Sequence, residues 1–169
     1  VLGEGDIVGP VLMELSIVKI ISFTGSTDTG ELIHKHIGSS DVRYQAEMGG
    51  ANALVIWEDA DIGKAVEATI ASGMACAGQW CTGISKLVVH NNIYDSVIDS
   101  LVKAVNNLNV GDGSIPSVDM GPLNNLSQFK KMKDYIDRAI QQGAKILSGG
   151  TEIESVKNKG YFFSPTLLG

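Results

Sequence analysis

The chain has 169 residues, enough for one or two small domains with a real core. Hydrophobic residues make up 44% and charged residues 19%, as in an ordinary soluble globular protein, and the net charge of −6 argues against nucleic acid or an anionic membrane as partner. No apolar run reaches about 18 residues, the first six residues lack a basic n-region, and two cysteines without a Cys/His grouping provide neither a disulfide framework nor a zinc site.

The first residues, Leu2-Gly3-Glu4-Gly5, form a glycine turn leading into a short apolar helix to about Leu15. Residues 17–23 are rich in β-formers and end at Thr24-Gly25-Ser26, before a short helix over 28–36. Strands are expected over 42–46 and 53–57. Asp59-Ala60-Asp61 then opens a helix whose inward face is Ile62, Ala65, Val66, Thr69 and Ile70. That helix fades over 73–78, placing Cys76 near its end, in the core, and Cys81 just beyond. A strand over 86–90 precedes the most regular helix, where Tyr94, Val97, Ile98, Leu101, Val102 and Val105 recur at helical spacing. Residues 111–122 read as a loop. Phe129, Met132, Ile136, Ala139 and Ile140 mark another helix, stopped by Gly143. Late strands are expected over 145–147 and 162–168, on either side of a polar loop at 151–160. The alternation implies an α/β fold with a largely parallel sheet. The 20 glycines suit tight connections close to a ligand.

Three segments carry the chemistry. In Ala77-Gly78-Gln79-Trp80-Cys81-Thr82-Gly83, a thiol lies between glycines that let a substrate approach the backbone. A lone cysteine is otherwise a small buried hydrophobe. Glu47, in Glu47-Met48-Gly49-Gly50, is either a strand-end glutamate in solvent or a base that activates water. Gly25-Ser26-Thr27 is either a simple helix cap or a phosphate site at a helix N-terminus. Gly5 and Gly9, in Gly3-X-Gly5-X-X-X-Gly9, lack the usual dinucleotide spacing. Trp80 is a substrate-pocket wall or a core residue, and Thr82 is its weaker companion on the other side of Cys81. Asn52 and Lys86 read as structural. No spacing pairs His34, His36 or His90 with Cys81, and Cys76 is a core residue or a redox neighbour.

These segments resemble the aldehyde dehydrogenase superfamily. The resemblance runs through Asn52-Ala53-Leu54-Val55-Ile56-Trp57-Glu58-Asp59-Ala60-Asp61, Gly121-Pro122-Leu123, Gly149-Gly150, Gly160-Tyr161-Phe162 and Pro165-Thr166-Leu167 in family order, and so covers essentially the whole chain. It implies a partial Rossmann-like NAD(P)-binding domain over 1–47 and an incomplete catalytic domain over 48–169. It also implies Cys81 as nucleophile and Glu47 as the base that hydrolyses the thioester, at the family's separation of 81 − 47 = 34. Gly25 and Ser26 would lie near the cofactor pyrophosphate, with Gly5 and Gly9 packing on the cofactor side and Gly49 letting the backbone pass close. The cofactor would be NAD or NADP and the substrate a small aldehyde. The setting would be a cytosolic homo-oligomer with no metal, nucleic acid or membrane.

Ala51 stands where the family often has lysine. The resemblance also implies an upstream oxyanion asparagine, an upstream adenosine-ribose lysine and a downstream nicotinamide-ribose glutamate, none of them in this sequence. The chain is therefore expected to be a central fragment with an open sheet edge, inactive alone. Three alternatives stay open: a non-catalytic fragment acting by association, a cofactor-independent thiol esterase or acyltransferase, and acyl transfer to coenzyme A.

Overall fold

A computed structural model describes residues 1–38, 40–153 and 160–169. The chain forms two compact units, Val1–Gly50 and Ala51–Gly169.

In the first unit, helix α1 (Gly5–Met13) starts from the extended residue Glu4. A turn follows, with Val18 N–H donating to Leu15 C=O at 2.9 Å. This turn uses residues expected to begin a strand, so β1 runs Ile20–Gly25, later than its β-rich composition suggests. It pairs in parallel with β2 (Arg43–Met48), from Ile20 opposite Arg43 to Gly25 opposite Met48. The crossover is α2 (Thr27–Ile37), capped by Ser26, whose hydroxyl accepts from Thr29 N–H at 3.2 Å. Gly30 is the contact point between α2 and β2. Tyr44 O–H donates to its carbonyl at 2.9 Å, and a Cβ there would run into the Met48 sulfur.

In the second unit, β3 (Asn52–Ile56) pairs in parallel with β4 (Ile84–Val89). Between them runs α3 (Ile62–Gly73), whose N-cap is Asp61, with the side chain accepting from Lys64 N–H at 3.1 Å. The expected inward face holds: Val66 and Thr69 are buried, and Ile62, Ala65 and Ile70 are half-buried. Thr69 satisfies its hydroxyl on Ala65 C=O. Helix α4 (Tyr94–Asn106) buries the stripe Val97, Leu101 and Val105, and the last two form one cluster with Val66. Helix α5 (Leu126–Gln141) starts at Asn125 and gives Phe129 and Ile136 to a second cluster with Leu123 and Phe163. Gly143, at φ +98°, follows the end of α5, as expected of a stop.

The late strands depart from expectation. β5 (Ile146–Ser148) pairs with β6 (Leu167–Leu168), and the pairing is antiparallel. The rest of the strand expected over 162–168 is irregular, with only an isolated bridge from Phe163 to Glu152. Phe162 and Phe163 are both buried, which a strand with one solvated face does not allow, and Pro165 has no N–H for a ladder. Side chains supplement a sparse backbone pairing: Ser164 N–H donates to Thr151 C=O at 2.9 Å, while Ser164 Oγ accepts from Thr151 N–H at 2.9 Å and Thr166 Oγ1 from Gly150 N–H at 3.0 Å. Of the polar loop at 151–160, residues 154–159 lie outside the described residues.

Gly149 closes this region. It sits at φ +73°, and a Cβ there would overlap the Pro165 carbonyl group. Gly149→Ala combines a left-handed alanine with a backbone clash. It is expected to cost about 3 kcal/mol or more, read as a fall in the urea midpoint at unchanged slope.

Candidate active site

The Cys81 segment is built where α3 stops. Met74 N–H still donates to Ile70 C=O, but Cys76 (φ 52°), Ala77 (φ 57°) and Gly78 (φ 71°) are all left-handed. For the two non-glycine residues this conformation costs roughly 1–2 kcal/mol each, so the surroundings must hold it. Ala77 packs against the cluster of Leu123, Phe129, Ile136 and Phe163. The Gln79 side chain ties the segment to the loop before the last helix: its Nε2 donates to Cys76 C=O at 3.0 Å and its Oε1 accepts from Asn124 N–H at 3.0 Å. Cys76 is therefore no core residue. The reversal of the chain after Gly73 turns it outward, and its thiol is free and exposed.

Residues 80–83 form a β-turn, closed by Gly83 N–H donating to Trp80 C=O at 2.9 Å. Cys81 and Thr82 are its two corner residues. Both are exposed, as is Trp80 at 53%, so Trp80 is not a core residue. Gly83 is closely packed: a Cβ there would lie 3.1 Å from the Ser72 and Trp80 carbonyl oxygens, so the backbone would have to give by a few tenths of an ångström.

The turn is fastened to the sheet from one side. Asn52 Nδ2 donates to Cys81 C=O at 2.7 Å and to Gly83 C=O at 3.1 Å. Ser72 Oγ accepts from Ile84 N–H at 3.3 Å. The β3–β4 register slips here, Asn52 facing Ile84 and Ala53 facing Lys86, so Ser85 bulges out and its hydroxyl donates to Asn52 C=O at 3.3 Å.

The other named residues lie in the first unit. Glu47 is exposed near the end of β2, opposite Thr24. Gly49 follows at φ +63°, where glycine is favoured, and its N–H donates to Gly25 C=O at 3.4 Å, extending the β1–β2 pair. Gly25 accommodates the ring of Phe23, which a Cβ would meet at 2.6 Å. Ser26 serves as the α2 cap and also shares a hydrogen bond with Thr29 Oγ1 at 2.8 Å. Gly5 and Gly9 lie in α1 with open space where a side chain would stand.

The structure thus groups Glu47, Gly25, Ser26 and Gly49 in one unit and Cys81, Trp80 and Thr82 in the other. His34 stacks on Tyr44, His36 is exposed, and His90 accepts from Asn92 N–H while resting on Trp57. Among the described residues no group of three or more His, Cys, Asp or Glu could hold a metal ion, and no helix is long and apolar enough to cross a membrane.

Sequence reasoning understated Asn52 and Gln79. The available signal was a lone amide opening the apolar run Asn52-Ala53-Leu54-Val55-Ile56, a position where an apolar side chain would otherwise be expected.

Parallel strand–helix–strand units, with short antiparallel pairing at the end, define a mixed α/β protein. The sequence profile of the aldehyde dehydrogenase family matches residues 1–169, and the chain belongs to that family. It is 37% identical to the 2,5-dioxopentanoate dehydrogenase of Saccharolobus solfataricus, over 99% of this chain and 35% of that protein. It is 34% identical to the NADP+ succinate-semialdehyde dehydrogenase of Escherichia coli, over 99% of this chain and 34% of that one. The crystal structure of Staphylococcus aureus betaine aldehyde dehydrogenase with NAD+ superposes with a TM-score of 0.94 at 33% identity, covering 99% of this chain and 34% of that one. The chain spans about a third of the length of these relatives.

Proposed function

We propose that this chain carries the nucleophile and the water-activating base of an NAD(P)-dependent aldehyde dehydrogenase that oxidises an aldehyde to a carboxylic acid. The observation that carries the reading is Cys81 at the exposed corner of a tight turn, in a chain matched by the family along its whole length.

The Cys81 thiolate attacks the carbonyl carbon and forms a thiohemiacetal. The Cys81 N–H is positioned in sequence to donate to the resulting oxyanion. When bound, the nicotinamide cofactor supplies the acceptor for the hydride that leaves this carbon. Glu47 takes a proton from water, which adds to the thioester carbonyl and releases the acid and the Cys81 thiol. Trp80 and Thr82, on either side of the nucleophile, contribute to the aldehyde pocket.

The cofactor fits what the first unit offers. Helix α2 starts directly after β1; Ser26 Oγ takes the Thr29 N–H, and the Thr27 and Asp28 N–H groups, which have no acceptor within the helix, suit a phosphate beside the first-turn carboxylate of Asp28. Gly25 and Ser26 would stand beside that group. Gly49, which has no side chain, leaves the backbone after Glu47 approachable. Gly5 and Gly9 keep the side of α1 on which they lie clear.

The test is the absorbance of reduced nicotinamide in the full-length enzyme, given NAD or NADP and a panel of short aldehydes and semialdehydes. Aldehyde-dependent reduction is the expected result. Hydrolysis of an activated ester without any cofactor reduction would replace this reading with a thiol esterase.

A further inference from the structure

We propose that Asn52 is the positioning residue of Cys81, fixing the direction of its side chain by holding the carbonyls at both ends of the nucleophile corner. The inference rests on Cys81 as the reacting thiol.

A primary amide has two N–H donors on one nitrogen. At Asn52 both are used, on Cys81 C=O at 2.7 Å and Gly83 C=O at 3.1 Å. The first bond fixes the peptide plane that leaves Cys81, and with it the backbone torsion that aims the Cα–Cβ bond. The second fixes the plane leaving Gly83, where the turn enters β4. Cys81 and Thr82 face solvent between these two points, and the other hydrogen bond within the turn is Gly83 N–H to Trp80 C=O. Two carbonyl dipoles converging on one spot repel unless a donor lies between them.

Asn52 is suited to act as that donor because its own backbone is fixed. It is the first residue of β3, it pairs with Ile84, and its carbonyl accepts from the bulged Ser85. The thiol's base is thereby referred to a strand instead of a loop, which is how a reacting group keeps its aim. A side chain serving only to fill space would not need a donor here. Asn52→Asp preserves the shape but offers the two carbonyls acceptors alone.

The test uses the full-length enzyme with Asn52→Asp, Asn52→Ser and Cys81→Ala. Turnover is measured, and so is the rate at which iodoacetamide alkylates Cys81 relative to Cys76, read by peptide mass spectrometry. In Asn52→Asp, kcat is expected to fall about 100-fold with KM for aldehyde within about threefold, and the Cys81-to-Cys76 alkylation ratio to change by about fivefold or more. Asn52→Ser, which keeps a hydroxyl donor, is expected to regain about tenfold of the lost kcat. It carries the comparison alone if Asn52→Asp does not fold.

An alkylation ratio within about twofold of wild type in the variants that fold overturns the proposal, whatever turnover does. Full turnover in Cys81→Ala would instead refute the nucleophile, and the alkylation ratio would still decide whether Asn52 positions the thiol.

Discussion

Cys81→Ala in the full-length enzyme is expected to lower aldehyde-dependent formation of reduced nicotinamide by about 10⁴-fold or more. The size of the effect follows from the chemistry. Without a covalent bond to the carbonyl carbon there is no thiohemiacetal, and the carbon that must lose hydride keeps its sp² geometry and low hydride-donating power. Thr82, the adjacent corner residue, is a poor substitute, since an alcohol is scarcely ionised near neutral pH. Stability should hardly change, because Cys81 is exposed and its thiol is free. A urea midpoint equal to wild type beside lost turnover would separate chemistry from folding. Turnover within about tenfold of wild type would exclude Cys81 as the nucleophile.

The second large effect is expected at Glu47. Glu47→Gln keeps the size of the side chain and removes its ability to take a proton, so acylation should proceed while hydrolysis slows by about 10²–10⁴-fold. The signature is kinetic as well as chemical. One equivalent of reduced nicotinamide should appear per active site in a burst, followed by a slow steady rate. Intact-protein mass spectrometry should find one added acyl group per chain, and peptide mass spectrometry should place it on the Cys81 peptide. A uniform slowing with no burst and no adduct would assign Glu47 a part in acylation or none. Glu47 is exposed at the end of its strand, so the substitution should leave folding intact.

The helices were the most legible part of the chain. In α4 the spacing of Val97, Leu101 and Val105 shows a face that must be buried, and these three residues are buried. Asp61 and Ser26 announced the starts of α3 and α2, because a side-chain acceptor before a helix has one evident use. Strand limits were harder. Residues 17–19 have the composition of a strand but enter it through a turn closed on Leu15, a tertiary decision that composition does not record. Over 162–168, Ser164 and Thr166 hydrogen-bond backbone groups that a ladder would otherwise satisfy, so β-propensity there was spent on loop packing.

The fastening of the Cys81 turn was not legible in the sequence. Motif resemblance singled out Cys81 and Glu47, yet Asn52 reads in sequence as one polar residue at the start of an apolar strand. Its role depends on a turn 29 residues later arriving with two carbonyls on the same side. Cys76 misled for the opposite reason. The helical pattern of α3 continues past Gly73 on paper, whereas three successive left-handed residues take the chain off that axis.

That left-handed stretch also offers a practical handle. Position 76, at φ 52°, is one that glycine occupies with less strain than any residue bearing a Cβ, and its side chain is exposed. Cysteine there is thus not demanded by the backbone. With two cysteines among these 169 residues, Cys76→Gly would leave Cys81 as the one thiol of this stretch, so that a fluorophore, spin label or covalent inhibitor attached within it reports on Cys81.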